Sequence, residues 1–442
     1  NGTAVMDDSA SLVLLDDGSI SPRNDYLVRK DGGTDKYVFA YGHDYRAALR
    51  DFYRLTGKTP LIPRFAFGNW WSRYKAYTQD EYLTLMDRFK KEEIPITVAT
   101  VDMDWHWVDV KQRFGKSGGK PTLKPHSPDF ILQGDGWTGY SWNTELFPDY
   151  RAFLKELQDN NFKVTLNLHP AQGVRFFDDM YEEMARAMNI DPATKKTIQF
   201  DISDKKFTEG YFRYLHHGYE KDGVDFWWID WQQGTNSSVK GLDPLWWLNH
   251  YHSIDSGRNG KRPLILSRYA GPGSHRYPLG FSGDTLVLWS ALDFQPYFTN
   301  CAANAGYTWW SHDIGGHMRG IQDDELYLRW LQYGVFSPVN RLHSTNSDFM
   351  GKEPWKHSWA VQTISEDFLR LRHKLIPTLY TANYRTHREG IPLCMPMYYR
   401  YDCEEAYQAK NQYLFGDQLL VCPITEPGDK RLNLASARVW LP

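Results

Sequence analysis

From Phe65 onward the chain alternates short apolar runs with stretches whose apolar residues recur every three or four positions, the pattern of strands that each lead into an amphipathic helix. The runs at 65–70, 96–105, 163–169, 224–231, 264–269, 279–284, 307–312 and 335–342 predict strands buried on both faces. Eight such strands alternating with helices predict an α/β fold, a closed (β/α)8 TIM barrel. Two helices are specified locally. Thr78 and Glu81 have the spacing of a capping box, with Tyr82, Leu85, Met86 and Phe89 on one face behind it. Tyr150, Phe153, Leu154 and Leu157 form a second such face, after Pro148. The connection between the fifth and sixth strands is too short for a full helix, and 111–143 reads as a long irregular insertion.

The two ends of the chain read differently. Residues 1–63 show short alternating strands broken by Asp-Gly, Gly-Gly and Pro, then a helical run from about Tyr45 to Leu55 that stops at Gly57. This predicts the end of an N-terminal β-domain with a linker helix. Runs at 393–399 and 419–423 predict the start of a C-terminal β-domain. The expected organisation is therefore 1–63, a barrel over 64–385, and 386–442.

Composition narrows the function classes. The 51 basic and 54 acidic side chains nearly cancel, and no Lys/Arg cluster forms a track for phosphates, so nucleic acid is not an expected partner. Four cysteines (Cys301, Cys394, Cys403, Cys422) are too few for a disulfide scaffold and lack the paired spacing of a zinc site. No run approaches the roughly 18 apolar residues of a membrane span. Residues 1–20 carry acids where a signal peptide needs an apolar core, and the absence of Met at position 1 suggests a processed or trimmed product. Compartment and oligomeric state stay open. The 18 Trp and 28 Tyr point toward carbohydrate, because sugar C–H faces stack on indole and phenol, although a large core uses the same residues.

Polar residues collect where the expected strands end: Asp102 and Asp104, His169, Asp230, Arg268, Asp284, His312 and Asp313, Arg341 and His343. Barrel strands tolerate charge mainly where they emerge at the loop-bearing rim, which is where barrel enzymes place their chemistry. Glycoside cleavage requires two carboxyl groups, one to protonate the leaving oxygen and one to meet the cationic carbon. Asp230 ends the apolar run Asp225-Phe226-Trp227-Trp228-Ile229, and Asp284 ends Gly280-Phe281-Ser282-Gly283. Residue types alone do not choose these two from the other rim acids. Trp246 and Trp247 read as core before they read as a sugar platform. His250 and His252 have no evident third ligand and read as a solvated helix face. Asn236-Ser237-Ser238 fits a glycosylation sequon by coincidence.

The order of several short motifs resembles glycoside hydrolase family 31, the α-glucosidase and α-xylosidase family. They are Leu55-Thr56-Gly57 with Pro60 and Pro63, Phe67-Gly68-Asn69-Trp70, Val101-Asp102-Met103-Asp104-Trp105, Trp228-Ile229-Asp230, Leu266-Ser267-Arg268, Ser282-Gly283-Asp284, His312-Asp313-Ile314-Gly315-Gly316 and Arg341-Leu342-His343. The resemblance implies a retaining, exo-acting hydrolase of an α-linked sugar, with Asp230 as nucleophile and Asp284 as acid/base. It further implies that Asp102, Arg268 and His343 hold sugar hydroxyls, that Asp313 orients Arg268 or the site floor, and that Trp228 and Trp70 form an apolar wall. Phe281, Trp231 and Gln232 would complete the lining. No cofactor or metal is implied, since two carboxyls suffice, and the partner is an oligosaccharide or glycoside. Three segments depart from the family pattern: Trp231-Gln232-Gln233 after the nucleophile, Phe281-Ser282 before the acid, and Pro170-Ala171-Gln172-Gly173. An α-glucosidase is the first expectation. An α-xylosidase, an α-galactosidase or α-N-acetylgalactosaminidase, a transglycosylase and a non-catalytic sugar-binding barrel are the alternatives.

Overall fold

A computed structural model describes residues 2–9, 13–14, 20–21, 34–114, 136–231, 237–239, 242–268, 271–432 and 434–442. Its centre is a parallel sheet of eight strands: β1 (Asn69–Trp71), β2 (Val98–Val101), β3 (Lys163–Leu168), β4 (Phe226–Ile229), β5 (Ile265–Arg268), β6 (Gly280–Phe281), β7 (Trp310–Ser311) and β8 (Asn340–Leu342). Each pairs with its neighbour in chain order from β1 to β7, and β8 pairs with β1. The remaining gap is closed by a parallel bridge from Ile314, just past β7, to Leu342 of β8. The barrel expectation therefore holds. Helices α1 (Gln79–Lys91), α2 (Tyr150–Asp159), α3 (Lys205–Leu215), α4 (Pro244–Ser256), α5 (Trp289–Asn304), α6 (Asp324–Val335) and α7 (Trp359–Lys374) accompany the strands. Among the described residues, only a 3-10 turn, Ser274–Arg276, separates β5 from β6.

Local rules account for the best-specified elements. Both bonds of the capping box are present, Glu81 N–H to Thr78 Oγ1 at 3.2 Å and Thr78 N–H to Glu81 Oε2 at 2.9 Å. Behind it Tyr82, Met86 and Phe89 are buried against the barrel. In α2, capped by Asp149, the buried residues are Phe153, Leu154 and Leu157.

The strands are shorter than the apolar runs that announced them. Phe65 and Phe67 lie in a 3-10 turn, Arg64–Phe67, and the run at 96–105 ends in another, Met103–Trp105. Val335 closes α6, and Ser337 with Pro338 separates it from β8, because proline has no N–H to continue the helix. Apolar content reported burial at these places rather than extension. His250 and His252 correct the expectation of a solvated face. Both are buried, His250 beside the Tyr277 hydroxyl at 2.7 Å and His252 beside that of Tyr211 at 3.1 Å, because α4 is covered on both sides. Trp247 is buried with them, and Trp246 packs on it.

Outside the barrel, Thr3–Asp7 pairs antiparallel with Lys36–Ala40, and helix Tyr45–Thr56 ends at Gly57, whose φ of 91° suits glycine. Cys394–Pro396, Tyr413–Phe415 and Leu419–Val421 form a three-stranded antiparallel sheet beside the barrel. Most of the insertion at 111–143, together with Gln232, Gln233 and Asn236, lies outside the described residues. Among the described residues no helix is long and apolar enough to cross a membrane.

Arg372 of α7 is fully buried and donates to four carbonyls: Phe67 (2.7 Å), Val335 (2.7 Å), Ser337 (2.7 Å) and Pro338 (2.8 Å). It thereby ties the segment before β1 to the segment before β8, where the sheet meets its own beginning. Arg372→Met leaves these acceptors without partners and is expected to lower the unfolding free energy by on the order of 3 kcal/mol or more. A denaturant midpoint unchanged from the parent would contradict this account of the closure.

Candidate active site

Alternation along β4 sends Phe226 and Trp228 into the barrel and places Asp230, the next residue in that register, at the rim. The Asp230 N–H donates to Leu168 O at 2.9 Å, which fixes where the carboxylate emerges. From the end of β5, Arg268 donates through Nε to Asp230 Oδ1 at 2.7 Å, and its Nη2 lies 3.9 Å from Asp284 Oδ1. One guanidinium thus faces both carboxylates. Burial works against the charge on Arg268, but Asp230, Asp284 and Asp313 together outweigh it and raise the guanidinium above its ordinary value. Gly283 makes this arrangement possible. Its φ is +85°, and a Cβ there would fall 1.9 Å from Arg268 Nη1. The glycine before Asp284 makes room for the arginine.

The surrounding residues come from five strand ends. Asp102, just past β2, accepts from Met103 N–H at 2.7 Å. Burial lifts its carboxyl well above the usual range against that bond, with Asp230 and Asp104 adding to the lift. His343, just past β8, has Nε2 3.9 Å from Asp102 Oδ2 and Nδ1 2.7 Å from Ser72 Oγ. Burial pushes its imidazole well below the ordinary value, so it is neutral at pH 7. Trp228 meets Phe281 at 5.8 Å and His343 at 5.1 Å between ring centres, both edge-on, and Phe281 lies under Arg268 at 5.0 Å.

Trp70 and Trp231 are placed otherwise, and of the two expectations for Asp313, a bond to Arg268 or a place in the site floor, the first is not met. Asp313 pairs with Arg341, and both are about 1% exposed or less. Trp70 is fully buried, donates to Ala66 O at 3.0 Å and packs edge-on against Phe226, at the end of β4 opposite Asp230. Trp231 points out of the sheet onto Phe200 at 5.4 Å. The reason for Trp231 is the two-residue strand period, which turns the neighbour of an inward residue outward.

Other residues at the rim carried no role in the sequence reading. His169 Nε2 is 3.4 Å from Asp230 Oδ2, with Trp137 edge-on against the ring at 4.8 Å. His317 Nε2 is 3.8 Å from Asp284 Oδ1. The only available signals were a histidine at a strand end and a histidine four residues past Asp313, neither of which names a partner. Among the described residues, Asp313, His317 and His343 bring one donor atom each within 4.8 Å of one another. A zinc-like site closes around bonds of about 2.0–2.2 Å, and Arg341 already occupies Asp313. The charge already set against this cluster is the Arg341 guanidinium.

A barrel with two carboxylates on one rim guanidinium, beside a buried acid, a neutral imidazole and an aromatic wall, is built as glycoside hydrolase barrels are. Comparison with known families agrees, and the chain belongs to glycosyl hydrolase family 31. The TIM-barrel domain of that family matches residues 59–382 and its C-terminal domain matches 390–442. An α-xylosidase of Saccharolobus solfataricus is 26% identical over 96% of this chain and 57% of its own length. Alpha-glucosidase 2 of Bacillus thermoamyloliquefaciens is 25% identical over 92% of this chain and 52% of its own. The chain thus spans between half and three-fifths of the length of these two relatives. Among solved structures, a family 31 α-xylosidase from a soil metagenome complexed with xylose superposes with a TM-score of 0.70, at 23% identity over 90% of this chain and 61% of that one. A Flavobacterium johnsoniae family 31 dextranase complexed with glucose gives 0.71, at 24% identity over 90% of this chain and 50% of that one.

The buried acids make stability depend on pH. Burial raises Asp104 from 3.8 to about 6. The folded state therefore binds more protons than the unfolded chain between these values, and the contribution of Asp104 to stability is lost as pH rises through about 6. Asp104→Asn should accordingly gain on the parent between pH 4 and pH 7. A denaturant midpoint difference between the two proteins that stays constant over that range would refute the assignment.

Proposed function

We propose that this chain carries the catalytic centre of a retaining α-glycoside hydrolase, with Asp230 as nucleophile and Asp284 as acid/base. The observation that carries the reading is the Arg268 guanidinium between the two carboxylates, bonded to Asp230 at 2.7 Å and 3.9 Å from Asp284. The direct bond sets a cation on the nucleophile, while Asp284 stands off from it, the asymmetry that separate nucleophile and acid/base roles call for. Asp284 is also the more exposed, its side chain 37% accessible against 9% for Asp230, as suits a group that meets a leaving group and then water. Asp284 protonates the glycosidic oxygen, Asp230 forms the glycosyl-enzyme, and Asp284 then takes the proton of the water that releases the sugar. Asp102 and His343 bind hydroxyls, and Trp228 and Phe281 support the sugar's apolar face.

The substrate we assign first is a terminal α-glucoside. An α-xyloside is the second reading, favoured by the 26% identity to the Saccharolobus α-xylosidase. The two sugars differ by one hydroxymethyl group, a difference decided by single pocket contacts. Aryl α-glucoside and α-xyloside, assayed beside α-galactoside and α-N-acetylgalactosaminide, separate these readings. No turnover of any of them, alone or with a sugar acceptor, would favour a binding barrel.

Two outcomes test the assignments. Asp284→Asn should impair substrates with poor leaving groups most and recover turnover of activated ones in azide, and the first-formed sugar should be the α anomer by NMR. Equal loss on both substrate types without azide rescue, or an inverted product, would overturn it. Gly283→Ala should displace Arg268 and lower kcat/KM by on the order of a hundredfold, because misplacing a catalytic group by about 1 Å costs that much. Unaltered kinetics in a folded Gly283→Ala protein would show that the Arg268 position does not matter.

A further inference from the structure

Two buried polar atoms face each other at the rim without a bond. Asp313 Oδ2 and His317 Nδ1 have no hydrogen-bond partner among the described residues and lie 3.7 Å apart. On the opposite edge of the ring, His317 Nε2 is 3.8 Å from Asp284 Oδ1. The imidazole thus stands between a buried carboxylate and the acid assigned to catalysis, each gap under 1 Å longer than a hydrogen bond. Gaps of this size commonly close when substrate excludes water.

The backbone holds the ring there. The His317 N–H donates to Thr285 O at 2.7 Å, beside Asp284, and its carbonyl accepts from Thr345 N–H at 2.9 Å, on the segment after β8. One ring face stacks on His343 at 4.7 Å. Leu286–Val287 and Met318–Gly320 pair in parallel, so Asp284 and His317 both lie just before the strands of one small sheet.

We propose that His317 is a positioning residue that shares the catalytic proton with Asp284, its ring fixed by Asp313. The proposal rests on the reading of Asp284 as acid/base and adds to it a second site for the proton. The groups facing the ring are Asp284, Asp313 and His343, with Arg268 on Asp284, Arg341 on Asp313 and Lys352 bonded to Gly315 O at 2.8 Å. Arg268 Nη2 lies 3.9 Å from Asp284 Oδ1, and His317 Nε2, 3.8 Å from the same oxygen, offers a lone pair that can accept its proton. In the first half-reaction the shared proton goes to the departing glycosidic oxygen, which keeps the electron pair of the broken bond while Asp230 bonds to the anomeric carbon. In the second, water bonds to that carbon, Asp230 leaves with its electron pair, and the proton from water returns to the Asp284–His317 pair.

The test uses the full chain with His317→Gln and His317→Phe, compared through the pH profile of kcat/KM. With the second proton site gone, the alkaline limb should move down by about 0.5–1 pH unit, and at pH 7 poor leaving groups should suffer more than activated ones. The two variants guard against a folding artefact, since glutamine keeps polarity and phenylalanine keeps ring volume. A limb unmoved in both, or an equal loss on all substrates, would overturn the proposal. Asp284→Asn assayed alongside separates the failures. If it shows leaving-group dependence and azide rescue while the His317 variants leave the limb in place, only the role of His317 is wrong. If it shows neither, the reading of Asp284 is wrong and the His317 proposal falls with it.

Discussion

Charge brought to the mouth of a parallel barrel must be met by opposite charge there, and in this molecule the constraint is tightest at Arg341 and Asp313. Both side chains are about 1% exposed or less. They come from the last two strand ends, where a single bridge between Ile314 and Leu342 completes the ring. Removing one partner of such a buried pair typically costs about 3–5 kcal/mol, because the other charge is left uncompensated. The ion pair thereby joins closure of the sheet to the placement of the acids. Arg341 also lies at 5.3 Å over both Trp228 and Phe281, so the aromatic wall rests on the same cation.

Above this pair the site is a sequence of matched charges. Arg268 answers Asp230 at bonding distance and Asp284 more loosely, and Gly283 keeps the intervening space free of a side chain. At Asp102 burial, with Asp230 and Asp104, outweighs the Met103 N–H bond and the pull of Arg341, and its titration is lifted instead. Carboxyl groups of one chemical type thus occupy unlike environments, the condition under which two acids can take different roles.

What was legible in the sequence follows from the range of the interaction involved. The capping box of Thr78 and Glu81 spans three residues and was readable outright. The eight-strand barrel was readable because each strand announces itself as an apolar run, although a run measures burial and overstates strand length, as Phe65 and Val335 show. The gathering of acids at strand ends follows from the same rule, since charge leaves a buried strand only at its end. Partners across the barrel were not readable. Asp313 meets Arg341 and not Arg268, and His317 meets Asp284, through contacts between loops that no local pattern encodes. Trp70 was misplaced for a related reason, because an aromatic at a strand does not reveal which end of the barrel its ring fills. His250 and His252 looked solvated because a helix covered on both sides loses the periodicity that marks a buried face.

The small parallel sheet of Leu286–Val287 and Met318–Gly320 has a mechanical consequence. Loops on barrel rims ordinarily fluctuate one by one, which lets new specificities arise by changing one loop while the others stand. Here the loops after β6 and β7 are laced together, and Thr345 ties the segment after β8 to the same seam. The three are hydrogen-bonded to one another, so displacing any one of them strains the others. The entropy of ordering the segment that carries Asp284 is then spent once, when the chain folds.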